Sequence, residues 1–98
     1  MWTIRSTDPP DLDLSFRLLP GTYKTMGRAA QADFIVDAAL VSRVHCRVTL
    51  SADNELVIED LGSTNGTLVN GKKVRMATLA SGDRVKVGRV EFVAEHSQ

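Results

Sequence analysis

Hydroxyl, amide and glycine residues crowd into one stretch of this chain, Glu59-Asp60-Leu61-Gly62-Ser63-Thr64-Asn65-Gly66-Thr67-Leu68-Val69-Asn70-Gly71. Set between apolar runs, such a segment offers backbone N–H groups and hydroxyls as donors, and can hold an anion or a peptide. Asn70-Gly71 signals a hairpin, because a type I′ turn needs positive φ at both central residues. Asn65-Gly66 has the same form, but beside Ser63, Thr64 and Thr67 it carries more hydrogen-bonding capacity than a plain turn uses. A second chemistry is nominally available. Ser42, His45 and Asp60, with Asp37 or Asp83 as substitutes for Asp60, supply a nucleophile, a base and an orienting acid. Against a small Ser/His hydrolase, an extended segment turns residues three apart to opposite faces, and no Gly-x-Ser-x-Gly elbow is present. The phosphate loop Gly-x-x-x-x-Gly-Lys-Ser/Thr is missing as well. His45 therefore reads as a structural, hydrogen-bonding histidine. No metal site is expected, since His45 and Cys46 point to opposite faces of one strand and His96 falls in the tail. No cofactor is implied.

Short strands must position these groups. Met1 to Arg5, Ser15 to Leu19, Thr22 to Met26 and Phe34 to Val36 read as extended runs, with Pro9-Pro10 and Pro20-Gly21 as breaks. The clearest strand is His45 to Leu50, with Val44, Cys46, Val48 and Leu50 on one face and Arg43, His45, Arg47 and Thr49 on the other. Glu55 to Glu59 and the hairpin of Thr67 to Val69 with Lys72 to Val74 follow. Met76 to Asp83 reads as a connection to Arg84 to Val87, which Gly88-Arg89 joins to Val90 to Ala94 through a type II′ turn. Glu95 to Gln98 is expected to fray. No long window has helical periodicity, and strands recur between turn signals, so the expected fold class is an all-β, two-sheet sandwich.

Composition narrows the function. Ninety-eight residues make a single domain, 1–98, large enough for one core. With 43% hydrophobic and 24% charged residues the chain has a globular profile. Twelve basic and twelve acidic side chains cancel, which removes the charge excess that drives nucleic-acid binding. No run is long and apolar enough for membrane insertion, and no signal peptide opens the chain. A cytoplasmic location is expected. Cys46, the only cysteine, has no partner within the chain and reads as a small core residue of a protein in a reducing compartment.

Three separated pieces then line up: Gly27-Arg28, Ser42-Arg43-Val44-His45, and Gly62-Ser63-Thr64-Asn65-Gly66-Thr67 with Asn70-Gly71. Together they resemble the forkhead-associated (FHA) domain, a phosphothreonine-peptide recognition module built as an eleven-stranded sandwich with its binding loops at one end. The resemblance covers roughly residues 23–93 and includes the later Leu79, Gly82-Asp83 and Val87-Gly88 pattern. It implies that Arg28 pairs with the phosphate, that Ser42 and Thr64 add contacts to it, and that Asn65 hydrogen-bonds the peptide backbone. Arg43 matches a variable, often polar position with access to phosphate or peptide. Gly27, His45 and Gly66 match architectural positions, His45 holding the binding loops in place.

The chemistry fits those implied roles. A phosphothreonine carries nearly two negative charges and three strong acceptors, and an arginine fork bonds two oxygens at once. The resemblance also implies a partner protein phosphorylated on threonine by an upstream Ser/Thr kinase, and a monomeric module that is not an enzyme. Leu40 and Val41 give the expectation of an apolar rim beside Ser42. The competing reading is a phosphate-independent scaffold of the same fold.

Overall fold

The computed structural model describes residues 1–97, among which there are eleven strands and no helix. In chain order they are β1 (Trp2–Asp8), β2 (Ser15–Leu18), β3 (Thr22–Gly27), β4 (Phe34–Ile35), β5 (Cys46–Leu50), β6 (Leu56–Asp60), β7 (Thr67–Val69), β8 (Lys72–Val74), β9 (Met76–Leu79), β10 (Arg84–Val87) and β11 (Val90–His96). One sheet has the order β2-β1-β11-β10-β7-β8 and the other β4-β3-β5-β6-β9. The all-β sandwich expected from the sequence is the fold observed. Neighbouring strands run antiparallel except β3 and β4, which pair in parallel through Met26 with Phe34 and Gly27 with Ile35.

Period-two alternation builds the core. In β5 the side chains of Cys46, Val48 and Leu50 are buried while Thr49 faces out, and β6 repeats the pattern with Leu56 and Ile58. From the opposite sheet Val85 and Val87 of β10 and Val90, Phe92 and Ala94 of β11 meet them. Each large apolar side chain so buried contributes about 2 kcal/mol, so the sandwich is held by its inward rows and leaves its loops free for other uses. Phe16 of β2 stacks on Phe34 of β4 with ring centroids 4.4 Å apart, joining the edge strands of the two sheets.

The strands differ from those expected in four places. β9 forms where a connection is expected: Met76 puts an apolar side chain on the outer face, and this hides the inward alternation of Ala77 and Leu79. β1 continues past Arg5 to Asp8, paired with β11. Glu95 and His96 do not fray: they pair with Thr3 and Trp2, while Gln98 lies outside the described residues. The fourth concerns β5. The chain bends at Arg43 and Val44, regular pairing begins at Cys46, and the alternation assumed for residues 43–45 does not hold. Val44 is exposed and His45 is fully buried.

Both expected hairpin turns are formed. Asn70 and Gly71 have φ of 51° and 84°, as a type I′ turn requires, and Gly88 alone has positive φ in the β10–β11 turn, as in type II′. Register places Met26, Cys46 and Asp60 in one row and Thr67 opposite Val87. The β3, β4 and β6 C-termini, the β5 and β7 N-termini and the β10–β11 turn consequently share one end of the sandwich.

Candidate functional site

At that shared end lies a groove of about 680 Å³ lined by the 37–43 segment together with Arg28, Thr64 and Asn65. Arg28 follows directly on Gly27, the last residue of β3. Its backbone N–H donates to the Ser42 carbonyl (3.0 Å) and its guanidinium Nε to the Val41 carbonyl (3.1 Å). The two terminal nitrogens of the fork make no hydrogen bond among the described residues. One edge of the guanidinium is thus anchored while the other faces the groove, a pre-organised arrangement for two oxygens of an anion.

Gly27 is required by close approach. A Cβ there would overlap the Arg43 carbonyl and stand 2.9 Å from the Cα of Val44. The bent segment can lean against β3 only because that atom is missing, and this contact brings Ser42 to Arg28.

Ser42 accepts at Oγ from the Thr64 N–H (3.0 Å), which leaves its own O–H free to donate into the groove. The Thr64 hydroxyl and the Arg43 guanidinium have no partners among the described residues, and both line the groove. Arg28, Ser42, Arg43, Thr64 and Asn65 are therefore brought together on one groove.

His45 ties the two loops from below. Its Nδ1 accepts from the Ser42 N–H (3.1 Å) and its Nε2 lies 2.8 Å from the Gly66 carbonyl. The first bond assigns the ring proton to Nε2, which donates to Gly66. Gly66 sits at φ +82°, where any side chain would also run into the aliphatic part of Lys73. The histidine bonds both loops from the interior and not from an outward strand face. Because Ser42 and His45 lie in a bend, they touch through a backbone N–H instead of facing apart. The serine hydroxyl is turned to Thr64, and neither ring nitrogen is left to act as a base toward it.

Asp60 and Ser63 are the organising residues that sequence reasoning missed. Asp60 accepts from the N–H groups of Gly62 and Ser63 (3.1 Å each), from the Ser63 hydroxyl (2.5 Å) and from the Thr67 hydroxyl (2.8 Å). Ser63 Oγ in turn accepts from the Gly66 N–H (2.9 Å). Burial acts to raise the Asp60 carboxyl, but the donors of Ser63, Thr67 and Gly62 outweigh it and hold the group below its ordinary value. The signal was present in Asp60-x-x-Ser63, an aspartate placed to bond the backbone two and three residues on. Reading Asp60 as an orienting acid for His45 obscured it. Beneath this cluster, burial and then the Asp60 charge push the Cys46 thiol up to about 12, so it stays protonated, consistent with a core role.

Asn65 donates from Nδ2 to the Leu40 carbonyl (3.0 Å), and so holds the opposite loop while its amide oxygen remains available. Leu40 has φ 67°, an uncommon conformation for a leucine, and is half exposed. Val41 is only 3% exposed and belongs to the core, so the expected apolar rim consists of Leu40 alone.

The FHA domain family model matches residues 24–88. The chain belongs to the FHA domain family. Glycogen accumulation regulator GarA of Mycobacterium tuberculosis is 40% identical to it over 76 residues, 78% of this chain and 46% of that protein. The chain thus spans about half the length of this relative. Among solved structures, the FHA domain of CT664 from Chlamydia trachomatis superposes with a TM-score of 0.92 at 28% identity, covering 99% of this chain and 98% of that one. Mycobacterium tuberculosis EmbR, solved with a low-affinity phosphopeptide, gives 0.79 at 25% identity over 96% of this chain and 24% of its own. In this FHA domain no helix among the described residues is long and apolar enough to cross a membrane.

Proposed function

We propose that this FHA domain is a non-catalytic module that captures phosphothreonine segments of partner proteins and so couples a Ser/Thr kinase to an effector in the cytoplasm. The observation that carries the reading is Arg28: a guanidinium fixed through Nε to the Val41 carbonyl, with its terminal nitrogens open beside the free hydroxyls of Ser42 and Thr64. In this assignment Arg28 takes the phosphate bidentately, Ser42 and Thr64 donate hydroxyls to it, and Arg43 adds a second positive charge. Asn65 reads the peptide backbone with the amide oxygen that Leu40 leaves free. Gly27, His45 and Gly66 support the site without touching the ligand. Charge-assisted hydrogen bonds contribute roughly 1.5–3 kcal/mol each, so three or four account for most of a micromolar affinity, about 8 kcal/mol.

Several features support this reading over a hydrolase or a phosphate-independent scaffold. Both nitrogens of His45 are engaged in loop-holding bonds, so the Ser42 hydroxyl has no base. The groove donors face outward and unpaired, which a scaffold working through another surface would not need. The test is titration of a phosphothreonine peptide library against the domain, with unphosphorylated and phosphoserine versions alongside. Arg28→Ala is expected to weaken phosphothreonine binding by tenfold or more, from loss of roughly 1.5–3 kcal/mol, with the fold retained. Equal binding of phosphorylated and unphosphorylated peptides, or a folded Arg28→Ala variant of full affinity, would sink the reading.

A further inference from the structure

Among the residues that line the groove, Asp37 is the single carboxylate, and nothing assigned so far uses it. Its placement follows from the backbone. Parallel pairing of β4 with β3 continues through the Val36 N–H to the Gly27 carbonyl (2.7 Å), so Asp37 emerges beside Arg28 and Ala29. On the other side of that segment, the N–H groups of Arg28 and Ala29 donate to the carbonyls of Ser42 and Arg43 (3.0 and 3.1 Å). Arg28, Asp37 and Arg43 thus line one groove, and Asp37 pairs with neither guanidinium among the described residues.

A nearby aspartate shows what a turn carboxylate looks like when structure uses it. Asp33 accepts from the Thr25 N–H (2.9 Å) and hydroxyl (3.2 Å), and these bonds lower its carboxyl below the ordinary value. Asp37 is exposed and makes neither a hydrogen bond nor an ion pair among the described residues. A carboxylate left open against a site for an anion weakens that site by repulsion, unless the ligand brings a counter-charge.

On the reading that the groove binds phosphothreonine, we infer that Asp37 makes this domain selective for phosphothreonine segments carrying a lysine or arginine beside the phosphorylated residue. The charge balance runs that way. Two guanidiniums and one carboxylate leave the groove a single positive charge, and a phosphothreonine of nearly two negative charges exceeds it. A basic side chain on the partner restores neutrality where Asp37 stands. The wall between Asp37 and Ser42 suits such a residue: Ala38 and Ala39 are small, and Leu40 offers apolar surface to an aliphatic stem whose charged end reaches the carboxylate. The aspartate acts in both directions, rewarding the basic peptide and penalising the neutral one.

The experiment compares affinities of wild type and Asp37→Asn for phosphothreonine peptides with lysine, arginine, alanine or glutamate scanned through the flanking positions. Wild type is expected to favour a basic residue at one or more positions by about three- to fivefold, the range of a partly exposed ion pair. In Asp37→Asn the preference collapses from both sides, with weaker binding of the basic peptide and tighter binding of the neutral one. Asp37→Glu retains it, and added salt reduces it in wild type. Phosphate-dependent binding with no basic preference, or a preference unchanged in Asp37→Asn, overturns this inference and leaves the phosphothreonine reading standing. Absence of phosphate-dependent binding by wild type overturns both.

Discussion

The two ends of the sandwich are built from the same turn-forming residues and put them to different uses. At the end away from the groove, polar side chains close their own turns or brace a neighbouring one. Ser51 Oγ accepts from the N–H groups of Asp53 and Glu55, and Asp83 takes the Ala80 N–H and the Asn70 amide. At the groove end Asp60 and Ser63 also close a local turn, but further bonds cross between segments more than twenty residues apart: Thr64 to Ser42, Asn65 to Leu40, His45 to Gly66. Local bonds consume the donors that make them. Cross-loop bonds made largely by backbone N–H and carbonyl groups fix the loops while leaving the Arg28 fork and the Ser42 and Thr64 hydroxyls pointing outward. A binding site, on this comparison, is where turn chemistry has been satisfied from behind.

The sharpest way to break that contrast is to remove the support behind the groove. His45→Ala empties a fully buried position and leaves the half-buried Ser42 N–H and the buried Gly66 carbonyl without partners, at a cost of roughly 3 kcal/mol. Denaturant unfolding should register that loss, and phosphopeptide affinity should fall with it although His45 does not line the groove. A variant as stable as wild type that binds normally would refute the bracing role.

Removing the carboxylate that shapes the Ser63–Gly66 turn should cost less, about 2 kcal/mol for Asp60→Ala, and should leave a signature in pH. The folded Asp60 carboxyl is held below its unfolded value, so its stabilising contribution is fully present above about pH 4 and is lost as pH falls through the folded value. Asp60→Ala is therefore expected to flatten the acid limb of the stability curve relative to wild type. An identical pH dependence in the two proteins would mean that these four bonds do not favour the ionised form.

The smallest effect is expected at the other end. Ser51→Ala removes two bonds to exposed backbone N–H groups and should cost no more than about 1 kcal/mol, with phosphopeptide affinity unchanged in the same titration. A binding defect there would show the two ends to be coupled, and would erase the distinction drawn between them.

Much of this is legible in the sequence. The strands of Cys46 to Leu50 and Arg84 to Val87 declare themselves by alternation, because one face must be apolar to meet the opposing sheet. Asn70-Gly71 and Gly88-Arg89 declare their hairpins, because few residues tolerate positive φ. The separated pieces around Arg28, Ser42 and Asn65 carry the resemblance to the FHA domain, and the fold sets them on one groove. β9 escaped notice because an edge strand with Met76 facing out breaks the expected alternation.

What the sequence alone determined, then, was the fold class, the turns and the chemical types available for binding an anion, all of which depend on local periodicity and conformational preference. Tertiary structure decided the rest. The bend that buries His45 and exposes Val44 exists because Gly27 lets the Arg43 carbonyl approach, a contact between residues sixteen apart that no local pattern encodes. Packing likewise made Asp60 the centre of a loop, Val41 a core residue and Asp37 an unpaired charge lining the groove. Which neighbours surround a side chain is fixed by packing across the two sheets, and that environment determines what the side chain can do.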